Sequence, residues 1–107
     1  MFVKVARAAD IFPGGMKSAT LGEKQIVICN LDNKFYALER RCGHVGASLD
    51  MGTLEGYILT CPLHYAQFDI TTGEALSGPV PPDPQHPTNN LITYPVKLEA
   101  GAVLVDV

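Results

Sequence analysis

The sequence predicts an all-β protein, a small antiparallel β-sandwich or barrel with a two-loop segment inserted at about residues 42–79. Three observations carry this reading. Short runs rich in Val, Ile, Tyr, Phe and Thr recur along the chain, as half-buried pleated surface favours. Turn-forming residues stand between those runs. No stretch sustains the apolar period of a helix over about ten residues.

The elements follow in order. Residues 2–6 read as the first strand, and Ala8-Ala9-Asp10-Ile11 as a single helical turn at most. Pro13-Gly14-Gly15 marks a turn before strands over 17–21 and 24–30. Asp32-Asn33, set between two apolar runs, predicts a tight hairpin into a strand over 35–38. Further strands are expected over 57–60 and 67–70, followed by a Thr72-Gly73 turn. Residues 77–90 hold five of the eight prolines and read as a stiff loop. Strands over 91–98 and 102–107, joined by Ala100-Gly101, close the chain. Eight strands in 107 residues suit a small sandwich or barrel.

Length places residues 1–107 in one domain with one modest core. A hydrophobic share of 47% with 18% charged residues is ordinary for a folded soluble protein. The net charge of −3, without a Lys/Arg cluster, argues against nucleic acid as a partner. The amino terminus lacks the apolar run of a signal peptide, and no segment is long enough for a membrane span, so a cytoplasmic protein is expected. Three cysteines cannot close a disulfide framework. Cys29, inside the apolar run Ile26-Val27-Ile28-Cys29, reads as a small buried hydrophobe without a redox role.

Cys42-Gly43-His44 and Cys61-Pro62-Leu63-His64, separated by the sixteen residues 45–60, carry the chemistry. Each pair sets a Cys and a His so close that both reach one centre only from a tight turn. Two thiolates with two imidazoles suit zinc or an iron–sulfur cluster, not calcium or magnesium. Structural zinc more often takes Cys-x₂₋₄-Cys followed by His-x₃₋₅-His, and the alternating order here departs from it. Both metals stay open on spacing alone. His86, in the proline-rich loop, reads as a solvated residue and not as a fifth ligand. No Ser–His–acid order, phosphate-cradling glycine loop or mononuclear-iron triad supports substrate chemistry, so an enzyme is not expected.

The surroundings of the ligands are more specific. Residues 42–79 contain Gly46-Ala47, Leu54-Glu55-Gly56, Gln67-Phe68-Asp69, Thr72-Gly73-Glu74 and Ser77-Gly78-Pro79 beside the two Cys/His pairs. This stretch resembles the cluster-binding part of Rieske-type ferredoxins, above all the soluble ferredoxins of ring-hydroxylating oxygenase systems. Pro13-Gly14-Gly15-Met16 and Tyr94-Pro95-Val96-Lys97 are similar to their basal part, so the resemblance covers nearly the whole chain. It implies a basal β-sandwich with an inserted two-loop cluster-binding subdomain and a Rieske [2Fe-2S] cluster. Cys42 and Cys61 would hold one iron, His44 and His64 the other.

The resemblance also implies function. The proline segment after Gly78-Pro79 would cover the cluster. High-potential relatives carry Ser and Tyr hydroxyls where this chain has Ala66 and Phe68, and a disulfide at positions matching Ala47 and Leu63. Their absence places the chain near the bottom of the roughly −150 to +300 mV Rieske range. The expected role is a one-electron carrier from a flavin-dependent reductase to a terminal oxygenase, with no small-molecule substrate. A small Rieske subunit of a nitrite-reductase-type enzyme is the alternative, and a zinc-stabilised interaction module a more distant one. Val45, Leu63, Tyr65 and Pro81 are expected to form an apolar docking rim around the histidines.

Overall fold

A computed structural model of the chain describes residues 1–42, 47–82, 84, 85 and 87–107. Within them run eleven strands: β1 (Phe2–Arg7), β2 (Met16–Leu21), β3 (Lys24–Leu31), β4 (Lys34–Glu39), β5 (Thr53–Glu55), β6 (Ile58–Thr60), β7 (Gln67–Asp69), β8 (Ala75–Ser77), β9 (Thr93–Tyr94), β10 (Val96–Glu99) and β11 (Ala102–Asp106). They form three antiparallel sheets, ordered β1-β11-β10, β2-β3-β4-β9 and β5-β6-β7-β8. Among the described residues no helix is long and apolar enough to cross a membrane.

Why Ile26–Cys29 of β3 is apolar without interruption is visible in the packing. Side chains alternate faces along a strand. Ile26 and Ile28 enter one core with Ala6, Ile11, Phe35, Ala37, Val103 and Val105. Val27 and Cys29 enter a second with Leu38, Leu59, Phe68 and Ile70. The middle sheet therefore has a core on each face, and both faces of β3 must be apolar. The second core also holds Cys42 and Cys61, so the basal sandwich and these two candidate ligands share buried surface.

The tight turns fall where turn chemistry predicts them. Asp32 and Asn33 adopt φ of +49° and +68° and join Leu31 to Lys34 in a two-residue hairpin. Ala8–Asp10 forms one 3₁₀ turn, as expected, and Leu49–Met51 forms another. Two short strands, β5 and β8, were not expected from the sequence. The strand expected over 91–98 is divided at Pro95: β9 pairs with β4, while β10 pairs with β11. Proline has no N–H for a continuous ladder, and here the chain changes sheet at it.

The third sheet is an insertion. β4 and β9 are neighbours, Ala37 opposite Tyr94 and Leu38 opposite Thr93, and everything from β5 to β8 lies between them in sequence. The end of the proline-rich segment binds the third sheet before the chain enters β9. The Asn90 side-chain oxygen accepts the Ala75 N–H at 2.9 Å, and Leu91 N–H donates to the Gly73 carbonyl at 2.7 Å. A Cβ on Gly73 would stand 2.3 Å from the Leu91 oxygen, so only glycine permits this approach.

Candidate metal centre

Two loops of matching closure leave the sheets and carry the candidate ligand residues. Cys42 follows β4, and its N–H donates to the Ala47 carbonyl at 2.7 Å. Cys61 follows β6, and its N–H donates to the Ala66 carbonyl at 2.8 Å. Each loop is thus pinched between a cysteine and the carbonyl five residues later. The first stem is reinforced by a bridge between Arg41 and Ser48, and by Leu49 N–H on the Arg40 carbonyl at 2.8 Å. A Cβ on Gly52 would meet the Thr60 oxygen at 2.0 Å, which shows how closely the exit of the first loop packs on the entry of the second.

Both thiols are buried, Cys42 at 5% exposure and Cys61 at 1%, and they are hydrogen-bonded to one another. Burial pushes the Cys61 thiol up to about 11, and the hydrogen bond and charge of Cys42 push the same way. The Leu63 backbone N–H, donated to the Cys61 sulfur, opposes that rise. Two thiolates held this close out of water need a positive centre between them, so the donor set fits a thiolate-ligated metal group. His64 lies exposed on the second loop, with its own carbonyl accepting the Val80 N–H at 2.6 Å. That bond lays the start of the proline segment against the loop. His44, Val45 and His86 lie outside the described residues, as do Gly43 and Gly46.

The other expected positions are placed plainly. Ala66 and Phe68 have no exposed surface and share the core with both thiols, so neither position offers a hydroxyl. Cys29 is fully buried in that core, and burial alone pushes its thiol up to about 12. Leu63 (54% exposed), Tyr65 (62%) and Pro81 are exposed, the first two on either side of His64 in sequence. Val80, also exposed, belongs with them but was missed, since a residue flanked by prolines gives no sign of its exposure. Arg40, Ser48 and Asp50 were missed too. Ser48 donates to the Asp50 carboxylate, and Arg40 Nε stands 3.9 Å from it.

Comparison with known proteins bears on this arrangement. Residues 1–95 match the Rieske [2Fe-2S] domain. The chain is 34% identical over 105 residues to the ferredoxin component of the naphthalene 1,2-dioxygenase system of Pseudomonas putida, covering 98% of this chain and 94% of that one. It is 36% identical to the ferredoxin component of biphenyl 2,3-dioxygenase of Rhodococcus jostii, over 96% of this chain and 90% of the relative. Its structure superposes, with a TM-score of 0.85 and 32% identity, on a chain from the complex of reduced oxygenase and oxidized ferredoxin in carbazole 1,9a-dioxygenase, covering 97% of this chain and 91% of that chain. On these matches the chain belongs to the Rieske [2Fe-2S] domain family, and its cofactor is the two-iron, two-sulfide cluster of that family.

Proposed function

We propose that this chain is the ferredoxin component of a ring-hydroxylating dioxygenase system, a cytoplasmic one-electron carrier between a flavin-dependent reductase and a terminal oxygenase. Cys42 and Cys61 hold one iron of the cluster, and His44 and His64 hold the other. The observation that carries the reading is the pair of touching, buried thiols beside an exposed histidine on the same loop. When bound, the cluster supplies reversible one-electron chemistry. The chain's own residues do the rest. The basal core and the second loop keep water from the thiolates, while the Leu63 N–H offsets charge on one of them.

The relatives support the partner assignment. Those compared are ferredoxin components of dioxygenase systems, and the carbazole system holds its ferredoxin in complex with an oxygenase. That favours a free carrier over a subunit of a nitrite-reductase-type enzyme. The exposed Leu63, Tyr65 and Pro81 supply an apolar docking rim, and transient redox encounters bury little area. Ala66 and Phe68 leave the ligand sulfurs without side-chain hydroxyl donors, which keeps the potential low.

The test is single-turnover reduction of a terminal oxygenase from such a system. The reduced protein should deliver one electron per chain within the turnover time of that oxygenase. Failure to reduce any oxygenase, by a protein that holds its cluster and cycles at an electrode, would refute the assignment.

A further inference from the structure

We infer that Arg40, Ser48 and Asp50 are positioning residues that clamp the first ligand loop and govern retention of the metal centre. The inference rests on the assignment of that centre to the two Cys/His loops. Arg40 precedes the loop, and Ser48 and Asp50 follow it, so a link between them ties its two ends. The Ser48 hydroxyl donates to the Asp50 carboxylate, and the Arg40 guanidinium faces the same carboxylate from 3.9 Å. The latter contact is an ion pair and not a hydrogen bond, since the separation exceeds hydrogen-bond reach. Both charged side chains are largely withdrawn from solvent, Arg40 at 25% exposure and Asp50 at 21%. Water screens such a pair less than a surface pair.

The clamp has a fixed anchor. Arg40 donates from its guanidinium to the Gln25 side-chain oxygen at 2.8 Å, and its backbone N–H meets the Gln25 carbonyl at 2.9 Å. Gln25 lies on β3, the strand with a core on each face. A polar chain therefore runs from Gln25, at the exposed start of β3, through Arg40 and Asp50 to Ser48, next to the Cys42–Ala47 pinch.

The second loop is held by different means. Gln67 Nε2 meets Thr60 Oγ1 across its stem at 3.4 Å, a long neutral contact, and the proline segment binds the loop through Val80 N–H. The stem of the first loop thus carries an ionic clamp, whereas that of the second carries a neutral contact. Through Cys42 and the residues that follow it, the clamp sets how firmly one end of the metal centre is held.

The experiment follows iron release to a chelator from purified, cluster-loaded protein, together with visible circular dichroism. Asp50→Ala and Ser48→Ala should each release iron about fivefold faster, the rate equivalent of ~1 kcal/mol for one net hydrogen bond. Both should also alter the dichroism, which reports ligand geometry and not stability alone. Asp50→Asn keeps an acceptor for Ser48 but no charge. It should fall between wild type and Asp50→Ala, and lose the acceleration that salt produces in the wild type. Arg40→Ala combined with Asp50→Ala should be no faster than the faster single variant, because both break one link.

Wild-type release rate and dichroism in Asp50→Ala, or effects that add fully in the double variant, would overturn the clamp. Should Asp50→Ala fail to fold, the isosteric Asp50→Asn decides, and a wild-type rate with unchanged salt dependence refutes the proposal. A wild-type protein that binds no iron would overturn the functional assignment as well, whereas indifferent variants of a loaded protein overturn only the clamp.

Discussion

Phe68→Tyr should raise the reduction potential without loss of the cluster. Phe68 has no exposed surface and lies in the core that contains Cys42 and Cys61. A hydroxyl placed there has no water to bond, so it must find an acceptor among the buried groups, of which ligand sulfur is the electron-rich one. A donor to sulfur stabilises the reduced, more negative state more than the oxidised one. One net hydrogen bond contributes ~1 kcal/mol. For a one-electron couple, where a tenfold change in equilibrium constant is 59 mV, this becomes about +40 mV. Ala66→Ser, from the same core, should act in the same direction. Protein-film voltammetry gives the midpoint, and iron and sulfide assays confirm that the cluster is intact. A hydroxyl that finds no partner would instead lower stability by about 1–3 kcal/mol and leave the potential where it was. An unmoved potential in both variants, with two irons retained, would refute the link between these residues and the potential.

Other outcomes follow from the same geometry. Cys42→Ser and Cys61→Ser should each lose colour and iron together, whereas Cys29→Ala should keep both, as metal analysis of the three purified variants will show. Leu63→Glu should slow reduction of the partner oxygenase about tenfold in stopped-flow mixing while leaving spectrum and potential unchanged, because Leu63 is 54% exposed beside His64. The Cys29 thiol, pushed by burial from its ordinary 9.0 to about 12, ties stability to pH. Its contribution is complete below pH 9 and is lost as pH rises toward 12, because the unfolded chain releases that proton first. Urea unfolding across this window should therefore show a steeper alkaline decline in the wild type than in Cys29→Ala.

The sequence told most where a residue type has one structural use. Asp32-Asn33 announced a two-residue turn because both residues tolerate positive φ, and the apolar run Ile26–Cys29 announced a strand with Cys29 buried in it. The two thiols were legible from spacing, and their contact was reached because the loops have matching closures. What escaped depends on pairing across the fold. β5 (Thr-Leu-Glu) and β8 (Ala-Leu-Ser) are three residues long and carry little strand propensity, so they exist because β6 and β7 stand beside them. Pro95 was visible, but only topology shows that the chain changes sheets there. Arg40 and Asp50 are ordinary surface letters in sequence, and their meeting across the first loop follows from the stem that brings its ends together.

The assignment of all four ligands is tested most directly by pulsed electron paramagnetic resonance on the reduced protein, with iron and sulfide counted in the same sample. Two irons, two sulfides and one unpaired electron per chain are expected, with hyperfine coupling from two histidine nitrogens. His64→Cys should remove one of those couplings. A single zinc per chain, or a cluster whose spectrum carries no histidine nitrogen, would contradict the account.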